Sequence, residues 1–119
     1  MNRFEFTGAR LTNDPEVKYT PTQVAMCNLL LAIDTGYGDK KRTDFPRVTV
    51  FGRGAEMIDK YSAKGLRVNV FGKVETNSYE KDGKMIYVTN LVADRIEFVD
   101  FRNDDPVPDF KPIDGDIPF

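Results

Sequence analysis

Asp44-Phe45-Pro46-Arg47-Val48-Thr49-Val50-Phe51-Gly52 alternates at a period of two, the repeat of an extended strand. Val48 and Val50 share one face, while Phe45, Arg47, Thr49 and Phe51 share the other. The valine face can enter a core. The opposite face sets two aromatic rings around a guanidinium, a composition that suits a sheet that stacks nucleobases and screens phosphates. The competing reading buries Phe45 and Phe51 under a second layer or a subunit contact, because aromatics are ordinary strand formers.

Upstream, Arg3 to Leu11 reads as a first strand, with Phe4 and Phe6 on one face and Arg3, Glu5 and Thr7 on the other. Gly8 inside it predicts a bulge or a close backbone approach. Asn13-Asp14-Pro15 and Pro21-Thr22 read as turns around a short extension, Glu16 to Thr20. Val24 to Asp34 is the longest apolar run, greasy on both faces, as expected of a central strand. Thr35 to Thr43 reads as a loop in which Tyr37 sits between glycines ahead of Lys40, Lys41 and Arg42. Tyr37 has no core to serve there, so the segment is expected to be an aromatic and basic arm; the bland alternative is a solvated hairpin tip.

Downstream, Arg53 to Lys64 is the one helical stretch, with Ala55, Ile58 and Tyr61 or Ser62 at helical spacing and Gly65 as a stop. It is expected to plug one end of a barrel. Leu66 to Ser78 is a strand whose inner side carries Leu66, Val68, Val70, Gly72 and Val74; a sharply bent strand wants no side chain at Gly72. Asp82-Gly83 marks a hairpin tip within Tyr79 to Lys84, and Ile86 to Phe98 is the last strand. Five strands with a helix between the third and fourth give an all-β chain in the order of an OB-fold barrel.

The composition narrows the chemistry. With no histidine and one cysteine among 119 residues, there is no Ser-His or Cys-His pair, and no zinc set is expected. No Gly-rich phosphate loop occurs and no carboxylates pair as acid and base, so the chain is not expected to be an enzyme or to need a cofactor or metal. Cys27 lies in an apolar run and reads as packing. The opening residues lack the apolar core of a signal peptide, no apolar run is long enough to span a membrane, and the lone cysteine fits a reducing compartment; a cytoplasmic protein is expected. The net charge of −2 hides an asymmetry: residues 1–102 hold 16 basic and 14 acidic side chains, whereas residues 103–119 hold 1 and 5.

Taken together, these segments resemble the bacterial-type single-stranded DNA-binding proteins over nearly the whole chain. The resemblance rests on Asn2-Arg3, Thr12-Asn13-Asp14-Pro15-Glu16-Val17-Lys18-Tyr19-Thr20-Pro21 and Leu31-Ala32, then Asp44-Phe45 leading to Val48-Thr49-Val50-Phe51-Gly52. It continues with Ala55-Glu56, Lys64-Gly65 and the closing Asp116-Ile117-Pro118-Phe119. It implies sequence-independent binding of single-stranded DNA in replication, recombination and repair, at the nucleoid or replication fork, by a homotetramer joined through first strands. It also implies base stacking at Tyr37, Phe45, Phe51 and Tyr79, some of which are tryptophan positions in relatives; this chain has no tryptophan. Phosphate contacts are expected from Arg3, Lys18, Lys40, Lys41, Arg42, Arg47, Arg53 and Lys73, because the stretch Glu75 to Ser78 lacks the basic residues many relatives place there. The alternatives are an OB-fold primosomal or RNA-binding adaptor, and a small nuclease, which the missing histidines and scattered carboxylates disfavour.

Residues 1–102 are therefore expected to form the DNA-binding domain and 103–119 a disordered acidic tail, rich in proline and aspartate with little to bury. Its tip, with Asp114, Asp116, Ile117, Pro118 and Phe119, has the make-up of a peptide ligand: an aromatic plug and carboxylates for a basic pocket. In the family this tip recruits replication and repair enzymes. The linker before it is short, as expected of a phage, plasmid or mobile-element copy. An acidic tail within reach of a basic body should also compete with DNA. Deleting residues 103–119 is expected to tighten DNA binding at low salt, with the difference erased at high salt; equal affinities at low salt would refute the competition.

Overall fold

The computed structural model describes residues 1–101 and the backbone of Ile113–Asp114. Of the expected disordered tail, only the backbone of Ile113–Asp114 is described, and it pairs with Ile96 and Arg95; Asp116, Ile117, Pro118, Phe119 and the side chain of Asp114 lie outside the described residues. The alternating segments form β1 (Arg3–Leu11), β2 (Val17–Tyr19), β3 (Ala25–Thr35), β4 (Arg42–Asp44) and β5 (Arg47–Phe51). The helix α1 (Arg53–Tyr61) follows, then β6 (Arg67–Lys81), β7 (Lys84–Phe98) and the two-residue β8 (Ile113–Asp114).

Five long strands close a ring. β1 pairs antiparallel with β6, β6 with β7, β7 in parallel with β5, and β5 antiparallel with β3. β3 returns to β1 at Leu31–Leu11 and Ala32–Arg10, which seals the barrel. With its single helix between the third and fourth ring strands, the chain is an OB fold. The inner residues are those the alternation selects: Leu29, Leu31, Val48, Val50, Val68, Val70 and Ile96 are all at most 2 % exposed. Ala55 and Ile58 of α1 join them, so the helix closes one end of the barrel. Cys27 is also in this core, and burial pushes its thiol pKa up, away from the reactive thiolate.

Four details differ from the sequence reading. The expected loop Thr35 to Thr43 is shorter: Gly38–Lys40 forms a 3-10 turn, and Arg42–Asp44 pairs with Ile33–Thr35 as β4. The expected tip Tyr79 to Lys84 shrinks to Asp82-Gly83, because ladder pairing continues out to Lys81–Lys84 and makes β6 and β7 a long ribbon. The helix ends at Tyr61 rather than Lys64: Ser62 is in an extended conformation and donates its N–H to the Ile58 carbonyl. Proline also divides the organising stretch, with Phe45 and Pro46 falling between β4 and β5.

Two glycines permit the curvature. Gly8 adopts φ +65°, and the β1–β6 register shifts between Phe6 and Ala9, the bulge expected there. Gly72 is buried where β6 presses on β7: a Cβ would meet the Val92 carbonyl, lie 2.8 Å from Ala93 Cα and lie 2.7 Å from the Phe4 ring. Gly72→Ala is expected to cost about 3 kcal/mol or more, a fall in Tm of roughly 15 °C. Gly83→Ala meets nothing within 4 Å and bears only the φ +77° penalty, about 1–2 kcal/mol. Thermal melts of both variants check the contrast.

Acid sensitivity follows from two clamped carboxylates. The Thr43 hydroxyl donates to Asp34 at 2.6 Å and, with Arg10 and Lys41, holds its pKa below the usual range. Arg67 does the same for Asp100 through its backbone N–H, Nε and Nη2. Both folded-state values lie below the unfolded ones, so this stability is complete above about pH 4 and is lost as pH falls through the folded values. Tm is expected to fall less steeply below that pH in an Asp34→Asn, Asp100→Asn double variant than in the parent chain.

Candidate nucleic-acid interface

The outward side of the barrel is built by register. Lys18 of β2 pairs with Met26 of β3, which pairs with Phe51 of β5. The next outward row runs across five strands, Asn28–Thr49–Val92–Lys73–Arg3. A third row joins Leu30 and Arg47. Partners in a row share a face, so Lys18, Phe51, Arg47, Lys73 and Arg3 all stand on the outer side while Val48 and Val50 point inward. The Thr49 hydroxyl is 2.9 Å from Asn28 Oδ1, which fixes the middle of the surface.

A groove of about 810 Å³ runs along this face. Arg47, Thr49, Asn28 and Leu30 line one side, and Val88 and Asn90 of the β6–β7 ribbon line the other. Tyr79 pairs with Ile86 and lies two and four residues from Asn77 and Glu75, the partners of Val88 and Asn90. Alternation therefore puts Tyr79 on the ribbon face that borders the groove. Tyr79 is 50 % exposed and Phe51 half-buried. Tyr37 is 88 % exposed at the tip between β3 and β4, beside Lys40, Lys41 and Arg42. Arg53 opens α1, directly after Phe51 and Gly52.

Phe45 is not brought to this groove. The break at Pro46 turns it toward β1, where it lines a separate cleft with Phe6 and Ile33. It is 60 % exposed, so neither a second layer nor the core covers it within this chain.

The cations divide into two sets. Arg3 is held in a two-pronged pair with Asp94, which raises its pKa further, Arg42 by Asp44 at 2.8 Å and Lys73 by Glu75 at 3.0 Å. Lys18, Lys40, Lys41, Arg47 and Arg53 form no ion pair with a described residue. The second set is the charge that an incoming anion meets first.

Sequence reasoning missed the polar lining. Asn28 is the one polar side chain inside the run Val24 to Ile33, a signal that was available. Asn90 and Val88 had no such signal, because their role depends on how far the ribbon extends. Tyr87 and Met85, 70 % and 57 % exposed, stand with Ser78 and Glu80 on the opposite ribbon face and were also missed. Among the described residues no group of three His, Cys, Asp or Glu side chains could hold a metal ion, and no helix is long and apolar enough to cross a membrane.

The comparisons with known proteins agree with this geometry. Residues 1–99 match the model of the single-strand binding protein family. The chain is 42% identical over 107 residues to the single-stranded DNA-binding protein of Clostridium tetani, covering 87% of this chain and 73% of that protein. It is 37% identical over 134 aligned positions to single-stranded DNA-binding protein 2 of Clostridium acetobutylicum, covering all of both chains. Against single-stranded DNA-binding protein 1 of Staphylococcus aureus it is 38% identical over 109 residues, 88% of this chain and 69% of that one. A match of this extent, together with a closed OB barrel that carries cations and aromatics on its outer face, shows that the chain belongs to the single-strand binding protein family.

Proposed function

We propose that this protein binds single-stranded DNA without reading its sequence, and does so as a binder with no catalytic step. The observation that carries the reading is the outer face itself: Lys18 and Phe51 share one outward row and Arg47 stands two rows on, flanked by a ribbon bearing Tyr79 and an arm bearing Tyr37. Rings stack on any base, and cations meet any phosphate, so neither element selects letters. Double-stranded DNA hides its base faces and gains nothing from the rings.

In this reading the five cations that form no ion pair with a described residue engage phosphates directly, while Arg3, Arg42 and Lys73 contribute only after exchanging a carboxylate for a phosphate. The protein works in replication, recombination and repair, in the cytoplasm at the nucleoid or replication fork, as a homotetramer. The segment with Asp114, Asp116, Ile117, Pro118 and Phe119 docks replication and repair enzymes; its aspartates and apolar side chains are what supports that part.

Titrating the protein with single- and double-stranded oligonucleotides while following tyrosine fluorescence tests the reading. Tight binding of single strands only is the expected result, and equal or absent binding defeats it. Two sets of variants sharpen the test. Tyr37→Ala is expected to weaken binding by about 1 kcal/mol or more while Tm stays constant, because the ring is almost fully exposed. Lys40→Ala with Lys41→Ala should reduce the slope of log affinity against log salt by about 1.4, at about 0.7 per phosphate contact. Arg42→Ala should reduce it by less than about 0.7, because Asp44 already neutralises that guanidinium.

A further inference from the structure

Asn28 stands at the centre of the outer face, in the row between Met26–Phe51 and Leu30–Arg47. It is exposed, and it lines the groove together with Thr49, Leu30 and Arg47. The Thr49 hydroxyl donates to its Oδ1 at 2.9 Å. That bond decides which end of the amide is spent. The oxygen is turned to Thr49, and the two N–H groups on Nδ2 are left for the groove. Asn28 makes no other side-chain hydrogen bond with a described residue.

The rest of the lining decides what such a donor meets. Leu30 and Val88 bound the groove on opposite sides and leave an apolar slot for a ring. No carboxylate lines it, so its side-chain acceptors are neutral oxygens, whereas Arg47 and Asn28 both offer N–H groups. Outward rows on a strand are two residues, about 7 Å, apart. A base lying against Phe51 therefore has its edge at the Asn28 row, with Arg47 one row further on for a phosphate. Uracil and thymine present a carbonyl oxygen, O4, where cytosine presents an amino group, N4. The Asn28 amide can donate to the first. Against the second it sets donor to donor, and both go without a partner.

We propose that Asn28 is a base-edge donor that favours a keto-edged base over an amino-edged one at a single position of the groove, and that Thr49 is the positioning residue that holds its amide donor-outward. This rests on the single-stranded DNA reading and adds a chemical preference to one position within it. One selective contact among rings and cations that accept any nucleotide leaves the protein able to coat any strand, with a bias in affinity.

The test uses the full chain with oligo-dU and oligo-dC of equal length at one salt concentration. The two rings are the same size and neither carries a methyl group, so the dU-to-dC affinity ratio isolates the base edge. Asn28→Leu removes the donor and is expected to lower that ratio about three- to tenfold, the worth of one hydrogen bond. Asn28→Asp keeps an acceptor for Thr49 but replaces the outward donor with a second acceptor, and is expected to lower the ratio at least as far. Its added charge weakens both strands alike through their phosphates and cancels in the ratio. Thr49→Val frees the amide to rotate and is expected to lower the ratio too, whereas Thr49→Ser restores the hydroxyl and the parent ratio. All four positions of substitution lie on the outer face, and a Tm matching the parent's establishes that each variant folds. A ratio that stays at the parent value in both Asn28 variants, or rises in Asn28→Asp, overturns the proposal while leaving single-strand binding intact. A parent ratio in Thr49→Val overturns the positioning role. If the parent binds neither strand, the functional reading falls and the Asn28 contact falls with it.

Discussion

One strand has to serve two neighbours for this barrel to exist. β1 runs along β6 from Arg3, yet its last two residues also pair with β3. A straight strand cannot do both. The bend is made at Gly8, whose left-handed φ displaces the register by the bulge between Phe6 and Ala9. The bulge frees a backbone amide, and Asn69 Oδ1 accepts its hydrogen at 2.8 Å. An unsatisfied amide would oppose closure, so this side-chain bond is part of the joint. Gly72 is the matching requirement on β6, where the Phe4 ring and the β7 backbone occupy the space of a side chain. The same geometry forces β1 away from β3 below Arg10. The Phe45 cleft is thus a by-product of closing the barrel, and its lining is set by where that separation occurs.

Local pattern carried most of the fold. Valines at 48 and 50, 68 and 70 declare strands with one buried face, and Gly8, Gly72 and Gly83 mark the places where geometry departs from a regular ladder. These features depend on the chain within a few residues. The candidate site was legible only by residue type. Phe45 and Phe51 look equivalent along the stretch, six residues apart in the same alternation, but Pro46 interrupts the strand: Phe51 stays on the outer face opposite Met26, while Phe45 lines the cleft beside β1. Likewise Arg42 reads as part of a basic run, yet β4 pairing fixes it beside Asp44, whose carboxylate cancels it. Which residues meet across strands depends on register over long sequence separations. Asp94 reaching Arg3 is such a case, and no periodicity reports it.

Counting charges on the body therefore misjudges its electrostatics. A small positive excess over residues 1–102 suggests a weakly attractive surface. The relevant quantity is the placement of cations that form no ion pair with a described residue. Arg47 lines the outer groove, Lys18 stands one strand from Phe51, and Lys40 and Lys41 ride the arm with Tyr37. Paired guanidiniums such as Arg3 contribute less field at a distance, because the dipole of an ion pair decays faster than a lone charge. Glu5, Asp34 and Asp44 instead line the cleft at β1, away from the Arg47 groove.

Under the proposed function, a division of labour between floor and arms would let one surface be both firm and indifferent to sequence. The floor is rigid: Val92 is 5% exposed in the middle of the five-strand row, and the Thr49–Asn28 contact locks its neighbours. A rigid floor with many base-edge donors would read sequence, as fixed bidentate pairs do in duplex recognition. This floor instead offers Arg47 and Phe51, which under the proposed function would make contacts common to all nucleotides. Tyr37 and Tyr79 project from exposed hairpins, where ring position can adjust to purines or pyrimidines with little strain on the core. Affinity divides accordingly. The cation contribution falls as salt rises, because it is driven by counterion release. The stacking contribution does not, so a surface built this way keeps its hold on bare bases under conditions that detach it from phosphate alone.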